Sequence, residues 1–317
     1  MYRIGVDLGG TNIAAGIVNN EGTILFRSSV PTGAERPAPE IVADMAALCH
    51  ALLKESGISI SEIEAVGIAT PGVANHDDGI VEYANNLPFL HFPIAESFKA
   101  LFPAPKVTIE NDANAAAWGE AKVGAAKGTN RSIMITLGTG VGGGIVLGNT
   151  IYSGFNYAGA ELGHIVITVG GRPCSCGRKG CWEAYSSATA LVRMTEEKIA
   201  ECKEKGIPTL MADMAAERGK VSGRTSFDAM RAGDAAAKEV VDAYIHYLAC
   251  GLANIINIFQ PEVLSIGGGI SNEKDNLLLP LIPLVKAELE GSGVTVPEIR
   301  IAALGNDAGI IGAALLG

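Results

Sequence analysis

Gly138-Thr139-Gly140-Val141-Gly142-Gly143-Gly144-Ile145-Val146-Leu147-Gly148-Asn149 follows the apolar run Ser132 to Leu137. Gly138, Gly140 and Gly143 match the dinucleotide-binding fingerprint, and Glu161 even falls about 20 residues further on. That fingerprint needs a helix behind its glycines. The residues that follow here are β-branched and turn at Gly148-Asn149-Thr150 into Ile151-Tyr152, so the stretch reads as a hairpin and a Rossmann site is disfavoured. The N-terminus has the same plan: Ile4-Gly5-Val6-Asp7-Leu8-Gly9-Gly10-Thr11 leads into a second strand, Ile13 to Val18. Strand, glycine turn, strand thus occurs twice, roughly half a chain apart, although so short a repeat can also arise by coincidence. Two such turns facing one another across a cleft could bind the β- and γ-phosphates of one nucleotide.

The first turn, Asp7 to Asn12, offers unhindered backbone amides and a hydroxyl, which suits phosphate oxygens, and Asp7 could hold a hydrated Mg²⁺. Taken alone, a Gly-Gly-Thr turn is more often a plain hairpin. After a third strand, Thr23 to Val30, Ile41, Met45, Leu48 and Leu52 recur at helical spacing from Pro37 to Ser56, with Gly57 as the stop. Ala65 to Ala69 is an apolar strand ending in Thr70-Pro71-Gly72, at the strand end where open α/β sheets bind ligands. Asn85-Asn86-Leu87-Pro88 is a polar loop, and Pro93 to Phe102 is helical. The strand Lys106 to Ile109 runs into Glu110-Asn111-Asp112-Ala113-Asn114. Asp112, opening an Ala-rich helix, is first of all a good N-cap. Its strand-to-helix junction is also the kind that presents a carboxylate to a cleft, with Asn111 beside it as donor and acceptor.

Beyond the second hairpin, Glu161-Leu162-Gly163-His164 precedes Cys174-Ser175-Cys176-Gly177-Arg178-Lys179-Gly180-Cys181-Trp182-Glu183. Three thiols and one imidazole are the ligand set of a closed, structural zinc site. Unrelated or disulfide-bonded cysteines are the plainer reading, but Cys-x-Cys is too tight for an easy disulfide. Holding the four ligands would also fix Glu161 and Glu183 relative to one another. One ring nitrogen of His164 would face the metal and leave the other for a carboxylate or a bound hydroxyl.

The remainder is mostly helical: Trp182 to Lys205, Ser226 to Ala232 and Asp234 to Phe259, with a polar piece around Pro208 to Lys220. The strand Glu262 to Ile266 opens on Gly267-Gly268-Gly269, where backbone can approach a flat ring. Asn276 to Leu289 is helical, Glu298 to Leu304 a last strand, and Asp307 to Leu316 a closing helix. The 317 residues are 48% hydrophobic, enough for one large or two medium cores, and carry a net charge of −10 without a basic run. These features disfavour a nucleic-acid surface, and no stretch reaches the roughly 20 apolar residues of a membrane span. A cytoplasmic protein with reduced Cys49, Cys202 and Cys250 is expected.

Together these motifs resemble the ROK family (repressors, open reading frames, kinases) over nearly the whole chain, and most closely its bacterial glucokinases. The resemblance implies an α/β, two-lobed actin-like or hexokinase-like ATPase fold with a duplicated mixed-sheet core and a zinc-binding loop. Residues 1–115 with 305–317 are expected to form the smaller α/β lobe, and 116–304 the larger one with the helical additions. It further implies that Asp112 is the catalytic base, that Asn111, Glu161, His164 and Glu183 contact sugar hydroxyls, and that Gly72 and Asn86 lie near the sugar. His164, Cys174, Cys176 and Cys181 would bind Zn²⁺. Gly9, Gly10, Thr11, Asn12, Gly138, Thr139 and Gly140 would hold the phosphates of ATP, with Asp7 on Mg²⁺, and Gly267 to Gly269 would border the adenosine. The implied activity is phosphorylation of the 6-hydroxyl of glucose by ATP in a homo-oligomer, dimer or tetramer. Alternatives left open are a kinase for fructose, mannose or N-acetylmannosamine, other phosphoryl donors such as polyphosphate or ADP, and a sugar-responsive transcriptional regulator without its DNA-binding segment.

Overall fold

The computed structural model describes residues 1–316. In chain order the elements are β1 (Tyr2–Leu8), β2 (Asn12–Val18), β3 (Ile24–Pro31), α1 (Ala38–Ser56), β4 (Ile63–Thr70), β5 (Val73–Asn75), β6 (Ile80–Tyr83), β7 (Leu90–Phe92), α2 (Ile94–Leu101), β8 (Val107–Asn111) and α3 (Asp112–Lys122). There follow β9 (Arg131–Leu137), β10 (Val141–Leu147), β11 (Thr150–Ile151), α4 (Glu183–Ser186), α5 (Ala188–Lys205), α6 (Leu210–Arg218) and α7 (Thr225–Arg231). The chain ends with α8 (Ala235–Phe259), β12 (Val263–Gly267), α9 (Asp275–Glu288), β13 (Glu298–Ile301) and α10 (Ala308–Ala314). Two compact units result: Met1–Met134 with Gly144–Ala160 and Ala302–Gly317, and Ile135–Gly143 with Glu161–Ile301.

The first unit is built on a five-stranded sheet in the order β3-β2-β1-β4-β8. β1, β2 and β3 pair antiparallel through tight turns, whereas β1, β4 and β8 run parallel. Their registers place Asp7 opposite Ala69, and Thr70 opposite Asn111. Asp7 and Asn111 therefore finish two strands apart at the same carboxyl edge, roughly 10 Å by the usual strand spacing. On one face lies α1, whose Ile41, Met45, Leu48 and Leu52 are buried as their spacing predicts. The helix α10 packs against α3, β1 and β4. A small sheet, β5-β6-β7, was not expected from the sequence, because strands of three or four residues are too short to show a period.

The second five-stranded sheet has the order β11-β10-β9-β12-β13. The chain passes from the first unit to the second within β9 and returns within β10, so the second glycine turn belongs to the second unit. There α8 packs against α5, α7 and α9 and buries Val240, Tyr244, Leu248, Leu252, Ile255 and Ile256. Two helical expectations need correction. The stretch expected as one helix from Trp182 to Lys205 breaks at Ser187, which is extended and caps α5 by accepting the Ala190 N–H. The polar piece around Pro208 to Lys220 contains α6, capped by Thr209, and Asp234 holds that start in place by accepting from Thr209 Oγ1 and Leu210 N. No helix among the described residues is long and apolar enough to cross a membrane.

Candidate active site

In the first unit the strand β8 passes into α3 without a connecting loop, and this junction sets the geometry around Asp112. The helix cap is Asn111, not Asp112: Asn111 Oδ1 accepts the N–H groups of Ala113 at 2.9 Å and Asn114 at 3.2 Å. Asn111 Nδ2 donates to the Gly72 carbonyl at 3.0 Å, tying the turn after β4 to the end of β8. Asp112, relieved of the capping role, is the first helical residue and presents an exposed side chain. Its Oδ1 accepts the Ala113 N–H at 2.8 Å. Desolvation nevertheless raises its pKa, with the hydrogen bonds from Ala113 and Asn111 pulling the other way. The accessible surface and the desolvation are compatible when a carboxyl stands in a concave wall, where protein excludes bulk water but leaves one side open.

Asp7 is the next-to-last residue of β1, on the same edge. Burial, and secondarily the charge of Asp112, push its carboxyl up to about 6. The N-terminal turn of α10 accounts for the burial: a Cβ on Gly309 would lie 2.5 Å from Asp7 Oδ2, so only glycine lets that backbone approach. The turn Gly9 to Asn12 is closed by Gly9 N donating to Asn12 O at 3.0 Å, and Thr32 Oγ1 donates to Gly9 O at 2.7 Å. Asn86 lies against this turn, since a Cβ on Gly10 would stand 3.8 Å from its own. The unit thus gathers Asp7, Gly9, Gly10, Thr11, Asn12, Gly72, Asn86, Asn111 and Asp112 at the ends of its parallel strands and in the loops beside them. A divalent cation suits Asp7, because a buried carboxyl beside a second one lacks compensating positive charge.

In the second unit, His164 Nδ1 lies 3.6 Å from Cys174 Sγ, and Cys176 Sγ lies 3.6 Å from Cys181 Sγ. The four ligand atoms all fall within 4.8 Å of one another. Tetrahedral zinc with Zn–S near 2.3 Å and Zn–N near 2.1 Å has edges of roughly 3.5–3.8 Å, so the residues fit the ion, and sulfurs this far apart form no disulfide. Burial, reinforced by the neighbouring sulfurs, pushes the Cys181 thiol up to about 12, a proton that metal binding would displace. His164 Nε2 turns the other way, 3.9 Å from Glu161 Oε2.

The loop is joined to Glu183 directly. Glu183 Oε1 accepts from Ser175 Oγ at 3.1 Å and from the Cys174 thiol at 3.6 Å, while Oε2 accepts the Val141 N–H at 3.0 Å. A Cβ at Gly140 would lie 2.3 Å from Glu183 Oε2, so glycine is required where the second turn meets this carboxylate. The break before α5 serves the same turn: Ala188 N donates to the Gly138 carbonyl at 2.8 Å and Thr189 Oγ1 to that of Thr139 at 2.8 Å. Gly268 packs on Leu137 at the foot of the turn, and Gly267 and Gly269 flank it. Trp182, fully buried, anchors the end of the loop by donating from Nε1 to the Tyr247 carbonyl at 3.0 Å. Sequence reasoning singled out neither Ser175 nor the buried Glu110; a hydroxyl between two cysteines, or an acid within Glu-Asn-Asp, carries no periodic signal.

Residues 3–317 match the ROK family. The chain belongs to the ROK family. This ROK protein is 39% identical to a glucokinase of Streptomyces coelicolor over 312 residues, 98% of this chain and 96% of that one. It is 38% identical to a glucokinase of Halalkalibacterium halodurans, again over 312 residues, covering 98% and 93%. Among solved structures, a ROK family glucokinase from Streptomyces griseus in complex with glucose and AMPPNP superposes with a TM-score of 0.81 at 36% identity, covering 100% of this chain and 99% of that one.

Proposed function

We propose that this ROK protein is an ATP-dependent glucokinase that transfers the terminal phosphoryl group of ATP to the 6-hydroxyl of glucose, with Asp112 as base. The observation that carries the reading is the state of Asp112: an accessible carboxyl at a strand-to-helix junction, free of capping and raised by desolvation. Phosphoryl transfer asks the protein mainly to position its reactants and offset charge. A carboxylate suffices as base because the attacking alcohol becomes strongly acidic only as it bonds to phosphorus. Raising its proton affinity brings it nearer the range where a general base works at neutral pH. Relatives that bear the name glucokinase across nearly all of the chain support the choice of substrate.

The same proposal assigns the remaining roles. Asn111 gives one amide N–H to the Gly72 carbonyl and hydrogen-bonds the Asp112 carboxyl with its side chain, which supports a place for it beside the base and the sugar. Glu183, with Glu161 and the outer nitrogen of His164, forms the polyhydroxyl-gripping wall, and Gly72 and Asn86 border the sugar. The glycine turns 9–12 and 138–140 take the phosphates, and Gly267 to Gly269 border the adenosine. Zn²⁺ on His164, Cys174, Cys176 and Cys181 would hold the loop that carries Ser175 against Glu183. Mg²⁺ near Asp7 would supply charge neutralisation for the phosphates. A cytoplasmic location belongs to the same proposal.

The test is a purified-protein assay over a panel of hexoses with ATP, ADP and polyphosphate as donors. Glucose with ATP is expected to give glucose 6-phosphate at the highest kcat/KM. Transfer to none of the hexoses, or a preference for another sugar, would overturn the assignment.

A further inference from the structure

Glu110 is the next-to-last residue of β8, immediately before Asn111, and is 3% exposed. Its Oε1 accepts two hydrogen bonds, from the Asn111 N–H at 2.9 Å and from Asn114 Nδ2 at 3.0 Å. The tethered groups belong to the residues on either side of Asp112, so one carboxylate oxygen brackets that residue from before and behind. Its Oε2 lies 3.2 Å from His76 Nδ1. His76 is braced in turn: its Nε2 is 3.7 Å from Asp77 Oδ1, and its ring stands edge-on to Tyr157 with centroids 4.9 Å apart. The Tyr157 hydroxyl donates to Asp77 Oδ2 at 2.7 Å and completes the brace. None of these four side chains has a part in the phosphoryl transfer described above.

Burying a carboxylate is unfavourable unless donors and a cation surround it, and an apolar residue at the end of a strand would serve stability as well. The arrangement has a cost of its own: Asn114 Oδ1 is buried without a hydrogen-bond partner. Turning the Asn114 amide over would set that oxygen against Glu110 Oε1, so the carboxylate fixes which way the side chain faces. These features fit a device that holds geometry. We propose that Glu110, with His76 as its counter-charge, is the positioning residue that fixes the Asp112 carboxylate at its working place, acting through Asn111 and Asn114. The hydrogen bond from His76 to Glu110 raises the imidazole pKa and so favours the cation this role requires. The proposal rests on the reading of Asp112 as base.

Its test is steady-state kinetics with glucose and ATP, together with equilibrium glucose affinity and melting temperature, on Glu110→Gln, His76→Gln, His76→Lys and Asp112→Asn. A displacement of a reacting group by about 1 Å is worth on the order of 100-fold in rate. Glu110→Gln is therefore expected to lose roughly 10- to 100-fold in kcat. Glucose affinity should change far less, because the Asn111 side chain is held independently by Gly72 and the first turn of α3. His76→Gln should lose part of that rate and His76→Lys should recover it. A purely structural pair would lower the melting temperature and leave kcat per folded molecule unchanged, and that result overturns the proposal. Equal losses in both His76 variants overturn the counter-charge. Unchanged turnover in Asp112→Asn would instead overturn the base assignment beneath it. If Glu110→Gln does not fold, Asn114→Ala removes one of the two tethers and must show the same split between kcat and affinity, at smaller size.

Discussion

Asp7→Asn should stabilise the protein while disabling it, and the gain should depend on pH in a defined direction. Burial and the neighbouring Asp112 raise the Asp7 carboxyl from 3.8 to about 6. A carboxyl raised in the folded state binds its proton more tightly there than in the unfolded chain, so the native state is penalised once both have ionised. The penalty is fully present above about pH 6, shrinks as pH falls, and vanishes below the unfolded value. A shift of about two units at ~1.4 kcal/mol each gives a penalty of ~3 kcal/mol at pH 8 and ~1.5 kcal/mol at pH 5. Asparagine has nearly the same shape and no charge, so it should recover most of this, worth roughly 4 °C in melting temperature at pH 8 for a chain of this length. The assay is thermal denaturation of wild type and variant at pH 5, 6, 7 and 8 without added magnesium or nucleotide, repeated with Mg·ATP. Mg·ATP should stabilise the wild type and do little for the variant. An advantage that is absent, or the same at pH 5 and pH 8, would show that Asp7 does not carry the unfavourable charge.

Asp112→Asn is expected to fold with at least the wild-type melting temperature and to lose on the order of 100-fold or more in turnover; near-normal turnover would remove Asp112 from the mechanism. Cys176→Ser should lose bound metal by elemental analysis and weaken glucose binding in calorimetry while ATP binding survives, because Glu183 accepts a hydrogen bond from Ser175, which lies between two of the metal ligands. Unchanged glucose affinity in metal-free protein would count against that link. Trp182→Ala should destabilise the protein by about 3–5 kcal/mol in denaturant unfolding, since it empties a fully buried site and releases the Tyr247 carbonyl; a loss under 1 kcal/mol would mean that the loop does not depend on this anchor.

What the sequence disclosed, and what it hid, follows from how far each interaction reaches along the chain. The two hairpins were legible because β-branched runs around glycine turns are local signals, and α1 and α8 because their buried faces repeat at helical spacing. The metal cluster was legible as well, since its four ligands lie within one short segment. The break at Ser187 was not: the donation from Ala188 N to Gly138 O joins residues 50 positions apart, and a continuous pattern from Trp182 to Lys205 gives no hint of it. The start of α6 was hidden for a similar reason, because Asp234 supplies part of its cap from the beginning of α8. At α3 the ambiguity was chemical. Asp and Asn are nearly equal as N-caps, so two adjacent candidates cannot be ranked by propensity. The Gly72 carbonyl decided between them, by giving the Asn111 amide a second partner that a carboxylate could not have bonded.

That choice of cap has a functional consequence. An aspartate used as a cap spends its oxygens on the first backbone amides of the helix, and their hydrogen bonds stabilise the ionised form and depress its pKa. Asn111 takes two of those amides and leaves Asp112 with one hydrogen bond, from the Ala113 N–H, from outside its own residue and its Asn111 neighbour. Desolvation then prevails, and the pKa rises instead of falling. An Asn111→Asp exchange would reverse this at both positions. The new carboxylate would compete for the cap, lose the donation to Gly72 and place a third negative charge beside Asp7 and Asp112. Its expected signature is a fall in kcat with a shifted acid limb of the pH–rate profile, whereas Asn111→Ser, which keeps a neutral cap but loses the amide, should shift that limb less. If both substitutions shifted the limb alike, the division of labour between cap and carboxyl would not be what sets the proton affinity of Asp112.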